Sequence, residues 1–139
     1  MVEIYLFYNA CFAINCNFCC FPIAPSSPRN VTVVNETSTT LLVTWLTPSI
    51  PNGVVINYQV NYTGFTSVNL VPTSFFQPQF ITIPANETSV VLLDLVPYSK
   101  YTIVVRAFTS AGPGEPSEEI EDRTEEDGEH AIDFFSLWE

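Results

Sequence analysis

Apolar and polar residues alternate along most of this chain in short runs, each closed by turn residues about every 8 to 12 positions, the signature of an all-β fold. Val31 and Val33 alternate with Asn30 and Thr32. Leu41, Val43 and Trp45 form the inward face of the next run, with Leu42 and Thr44 facing out. Residues 48–53 make a loop, after which Tyr58, Val60 and Tyr62 alternate with Asn57, Gln59 and Asn61. A long connection over residues 63–78, rich in Ser, Thr and Pro, is expected next. Residues 80–83 read as a short edge strand closed by Pro84. Val90 and Leu92 point inward, and Leu95 joins them after an offset at Asp94. Tyr101, Ile103, Val105 and Ala107 give one more inward face, residues 110–117 read as a Gly/Pro turn, and residues 118–124 form a last, acidic strand. The pattern therefore predicts seven strands within residues 26–125 and no helix of useful length.

Composition narrows this picture. A chain of 139 residues with 47% hydrophobic residues supports one domain with some extra. The net charge of −11 is concentrated: residues 115–129 hold nine acids against the single base Arg123. With four Lys and Arg in all, no basic patch exists for phosphate backbones or an anionic membrane surface. All four cysteines, Cys11, Cys16, Cys19 and Cys20, precede the domain, so a sandwich must be held by packing and not by disulfides. Four of the ten asparagines, Asn30, Asn35, Asn61 and Asn86, stand in Asn-x-Thr, where ordinary Ser and Thr usage gives roughly one or two. A Thr-rich β-protein makes some such triplets by accident. The excess nevertheless favours glycosylation, hence a secretory route and an extracellular or cell-surface location.

The ends read differently. Residues 1–24 are apolar, aromatic and Cys-rich, but Asn9, Asn15 and Asn17 interrupt them, Glu3 stands where a basic n-region belongs, and the cleavage site is poor. A signal-like leader, an anchor or mispredicted coding sequence all fit. Residues 25–28 form a Pro/Ser linker into the domain. Residues 126–139 are an acidic and then aromatic tail, expected to be disordered.

The run Leu95-Val96-Pro97-Tyr98-Ser99-Lys100-Tyr101 identifies the fold. Its Leu-x-Pro-x-x-x-Tyr spacing resembles a tyrosine corner, in which a buried tyrosine bonds its hydroxyl back to the chain at a junction of strands. With Val31-Thr32-Val33, Leu41 to Trp45, Tyr58-Gln59-Val60-Asn61-Tyr62, Val105-Arg106-Ala107-Phe108 and Gly112-Pro113-Gly114-Glu115-Pro116-Ser117, the order and spacing closely resemble a fibronectin type III domain. The flavour is that of repeats in large ectodomains such as usherin-like proteins and receptor-type tyrosine phosphatases. The resemblance implies a disulfide-free, seven-stranded immunoglobulin-like β-sandwich. Its expected structural core includes Trp45, Tyr58, Leu95, Pro97 and Tyr101. Where a tandem member runs into a Pro-rich link, this chain continues into Gly128, His130 and Phe134-Phe135. Its ends thus read as cut edges of a larger repeat protein or as mispredicted exons.

Chemistry finds little support. The one histidine, His130, lies in the tail, and there is no nucleophile elbow or phosphate-binding Gly-rich loop. The acidic run is a solvated strand and linker in the favoured reading and a calcium site in the lesser one. Cys16-x-x-Cys19 lacks a second ligand pair at zinc spacing. No cofactor, metal, nucleic acid or small-molecule substrate is expected. Arg-Gly-Asp and the Trp-Ser-x-Trp-Ser box are absent. Phe65, Phe75 and Phe76 in the 63–78 segment are candidates for a partner loop, although folding back onto the sandwich is favoured. Asn61 is expected to face away from the core beside Arg106 or Phe108. The chain is expected to be a non-catalytic adhesion or spacer module whose partners are other proteins and neighbouring repeats. A receptor-ectodomain fragment is the alternative, and an intracellular structural repeat the second.

Overall fold

The structure is a computed structural model, and it describes residues 23–68 and 71–125. The leader and tail expectations for residues 1–22 and 126–139 lie outside the described residues. Strands β1 (Arg29–Thr37), β2 (Thr40–Leu46) and β6 (Ser89–Leu92) form one antiparallel sheet in the order β1-β2-β6. The second sheet is built on β3 (Asn57–Val68) and β7 (Lys100–Thr109), which pair antiparallel in unbroken register from Asn57↔Phe108 to Phe65↔Lys100. On the far side of β3 lie β4 (Val71–Phe75) and β5 (Gln79–Pro84), and on the far side of β7 lie β8 (Gly112–Pro116) and β9 (Ile120–Arg123).

These nine segments follow seven courses. Both β4 and β5 pair with β3, and both β8 and β9 pair with β7, so each couple is one edge strand interrupted by a bulge. Ser117 stitches the second interruption. Its N–H donates to the Val105 carbonyl (2.8 Å), and its Oγ accepts from the Val105 N–H (3.0 Å) in place of a ladder carbonyl.

Two expected connections are corrected. Residues 63–68 and 71–75 are not loop: β3 runs on to Val68 and pairs antiparallel with β4. Thr63, Phe65 and Thr66 suit a pleated strand, and Pro72 sits on an edge course, where its missing N–H leaves no ladder bond unmade. Likewise, residues 110–117 are not one turn. Thr109 pairs with Gly112 around a two-residue turn, and β8 then carries Pro113 and Pro116 along the edge. The last strand is shorter than expected, because residues 117–119 form the break between β8 and β9.

The core is the set of inward positions of both sheets. Leu41, Val43, Trp45, Tyr58, Val60, Ile103, Val105 and Ala107 are each at most 2% exposed. Trp45 meets Tyr58 across the sheets with ring centroids 5.4 Å apart and tilted by 60°. Such a pair contributes about 0.5–1.5 kcal/mol beyond its burial. The segment expected as a linker belongs to the fold. Pro25 and Pro28 are buried, Ser26 N–H donates to the Ile50 carbonyl (2.9 Å), and Glu115 N–H donates to the Pro25 carbonyl (3.1 Å). Gly114 lies against Pro25 so closely that a Cβ there would collide with its ring and carbonyl.

Candidate interaction surface

The β6–β7 connection fixes the end of the sandwich. Leu95 is buried and its N–H donates to the Thr39 carbonyl (3.0 Å), tying the connection to the turn between β1 and β2. Val96 N–H donates to the Tyr101 hydroxyl (2.8 Å), which is the geometry of a tyrosine corner. Burial pushes the Tyr101 phenol up from its ordinary 10.0; the Val96 bond works against this and Tyr62 adds to it. Asp94 (φ 56°) and Tyr98 (φ 52°) take left-handed backbone on either side of Pro97, which is half-buried.

The corner has a second peg. Thr124, 1% exposed, accepts from Ser99 N–H at its Oγ1 (3.1 Å), and its hydroxyl reaches the carbonyls of Val96 (2.8 Å) and Ser99 (3.3 Å). Thr124 N–H also donates to the Ser99 carbonyl (3.1 Å), and Tyr98 N–H to that of Glu125 (3.0 Å). The outgoing chain is thereby bonded to the corner as a short extra ladder. Arg123 lies over the Tyr98 ring, 4.7 Å from its centroid. The sequence reading missed Thr124 and Ser99. No local signal marks them, since Thr is an ordinary strand residue and its partner is 25 positions away.

The three phenylalanines assigned to a partner loop lie instead on and beside the β3–β4 hairpin, and they divide. Phe76 turns inward, packing on the core with its ring centroid 6.1 Å from that of Tyr101. Phe65 and Phe75 are cross-strand partners with centroids 5.8 Å apart, and Phe75 is 70% exposed. Gly64 makes room for this arrangement, because a Cβ there would strike the rings of Tyr101 and Phe76. Phe76, Tyr62, Leu93, Val96 and Tyr101 line an open cleft of about 390 Å³ beside the corner.

The sequons fall in unlike places. Asn30, with φ 47°, and Asn86, in the turn after β5, are exposed. Asn35 pairs with buried Leu41, so it shares the inward parity of β1, and its Oδ1 is buried without a partner among the described residues. Asn61 lies on the outward parity of β3, directly opposite Phe80 on β5 and Val104 on β7. This corrects the expected neighbours. Arg106 sits opposite Gln59 and Phe108 opposite Asn57, because the β3–β7 register places them two and four residues along.

The outward face of the larger sheet also carries charge. Lys100 pairs with Glu121 (2.9 Å), but both are well exposed, so the pair contributes at most ~1 kcal/mol. Among the described residues no group of three His, Cys, Asp or Glu is placed to hold a metal ion. Two more buried hydroxyls are engaged with the main chain, whereas the buried Tyr58 hydroxyl has no partner among the described residues. Ser99 Oγ donates to the Pro97 carbonyl (3.0 Å), and Thr109 Oγ1 accepts from Ala111 N–H (3.3 Å).

Residues 26–123 match the family model described as the fibronectin type III domain. The putative receptor-type tyrosine-protein phosphatase mosPTP-1 of Aedes aegypti is 38% identical over 116 residues, 81% of this chain and 8% of that protein. The neuronal cell adhesion molecule of Mus musculus is 35% identical over 91 residues, 65% of this chain and 7% of that protein. Among solved structures, the third fibronectin III domain of human KIAA0343 protein is 25% identical with a TM-score of 0.66, covering 83% of this chain and 94% of that one. The chain thus spans under a tenth of either curated relative and nearly all of a one-domain structure.

Proposed function

Because the chain belongs to the fibronectin type III family, we propose that it acts as a non-catalytic interaction and spacing module of a larger cell-surface or secreted protein. The observation that carries this reading is the asymmetry of the match to mosPTP-1: 81% of this chain answers to 8% of the relative, the ratio expected of one unit in a long multi-unit protein. The buried hydroxyls of Ser99, Ser117 and Thr124 support it, since each is bonded to the main chain and serves the fold. Its partners are other proteins and neighbouring repeats, met without a cofactor or small-molecule substrate. Exposed Asn30 and Asn86 are compatible with a glycosylated, extracellular setting.

An antibody against the sandwich, applied to cells that express the parent gene, tests the location. Staining of intact cells is expected. Staining that requires permeabilisation would overturn the extracellular reading in favour of an intracellular structural repeat.

A second reading, a fragment of a receptor ectodomain coupled to a cytoplasmic phosphatase, is favoured by the name of the relative with 38% identity. Sequencing the full-length transcript separates the two. A membrane span followed by a phosphatase domain selects the receptor.

A further inference from the structure

We propose that Asn61 carries an N-linked glycan whose first sugar lies on the ring of Phe80, so that carbohydrate and not a partner protein covers the outward face of the larger sheet. This rests on the secretory reading above and deepens it. Asn61-Tyr62-Thr63 is a sequon set in the central strand β3, and Tyr62 between them packs inward, so acceptor and threonine share the outward face. Phe80 stands directly opposite Asn61 on the edge course β5 and is 67% exposed, a large apolar ring left in solvent beside the central strand. Facing residues of an antiparallel pair have Cβ atoms about 4.5–5.5 Å apart. A sugar bonded to Asn61 Nδ2 therefore emerges over the neighbouring strand, within reach of that ring.

The chemistry of the two surfaces matches. A pyranose presents a face of axial C–H groups, and a phenyl ring presents a negative face to them. The contact removes apolar area of Phe80 from water without asking the sugar to give up its hydroxyl hydration. Val104, on the other flank of Asn61, is half-buried and supplies a small apolar floor. The other sequons lack this geometry: Asn30 falls in the register shift of β1 with no residue paired opposite, Asn35 turns toward the core and pairs with Leu41, and Asn86 projects from a turn.

The full chain, expressed in mammalian cells behind a supplied secretion signal, tests this by site-specific glycopeptide mass spectrometry and a thermal double-mutant cycle. Asn61 is expected to be occupied. Phe80→Ala is expected to lower Tm by about 2–4 °C more in the glycan-bearing protein than in the Asn61→Gln background. Thr63→Val, which removes the sequon and keeps the asparagine, is expected to behave as Asn61→Gln does. Occupied Asn30 or Asn86 with an empty Asn61 would overturn the proposal and leave the secretory reading standing. No occupancy at any of the four sites would overturn both. Equal Tm losses in the two backgrounds, or a glycosylated chain that dimerises through Phe80, would show that the ring is not the sugar's platform.

Discussion

Tyr101 and Thr124 hold the same stretch of chain from opposite sides. Removing the Tyr101 hydroxyl leaves Val96 N–H without its acceptor. Tyr101→Phe is expected to cost about 1–2 kcal/mol in a denaturant titration. Thr124→Val keeps the shape and strips the acceptor from Ser99 N–H and the donor from Val96. It is expected to cost about 1–3 kcal/mol, because Ser99 is fully buried. The phenols set an alkaline limit. Burial raises both Tyr58 and Tyr101 above 10.0, so the folded state holds these protons more tightly than the unfolded chain does. Their contribution is complete below an unfolded pKa of about 10 and is lost as pH rises past it. The denaturation midpoint is expected to be flat from neutral pH and to fall above about pH 10, less steeply in Tyr101→Phe. Tyr101 was legible in the sequence because its partner lies five residues upstream, whereas Thr124 acts on Ser99 across 25 residues.

The hairpin of β3 and β4 is the element that the sequence hid. Its Ser, Thr and Pro content reads as a loop, yet its backbone groups pair as an edge course. One glycine decides whether it lies flat. Gly64 pairs with Tyr101 on β7 and accepts from Phe76 N–H (2.8 Å) at its carbonyl, so the rings of Tyr101 and Phe76 close over the space a Cβ would fill. Gly64→Ala is expected to destabilise by about 1–3 kcal/mol through overpacking. In calorimetry the variant should melt earlier, and Gly64→Ala combined with Phe76→Ala should recover part of the loss. The alternation of β2, β7 and the first half of β3 was readable directly, since inward and outward side chains alternate along each. The break at Ser117 was not, because a serine that substitutes for a ladder carbonyl looks like any turn serine.

The whole domain is held by apolar packing between two sheets, and every cysteine lies within the first twenty residues. Reductant is therefore expected to leave its unfolding midpoint unchanged, which a titration with and without dithiothreitol checks. A midpoint that drops on reduction would mean that a disulfide among the four cysteines of residues 11–20 adds to the stability of the sandwich. By itself the sequence determined the class of fold, its two inward faces, the absence of a disulfide framework in the domain and the position of the corner. These follow from period-two alternation and from short-range spacing, which are properties of adjacent residues. Only the tertiary structure decided that Thr124 closes the corner, that Pro25 belongs to the fold, that Phe76 turns in while Phe75 stays out, and that Phe80 faces Asn61. Those are matters of register and close approach between distant strands. A one-residue slip between β3 and β5 would send Phe80 to the other face, and no local pattern fixes that slip.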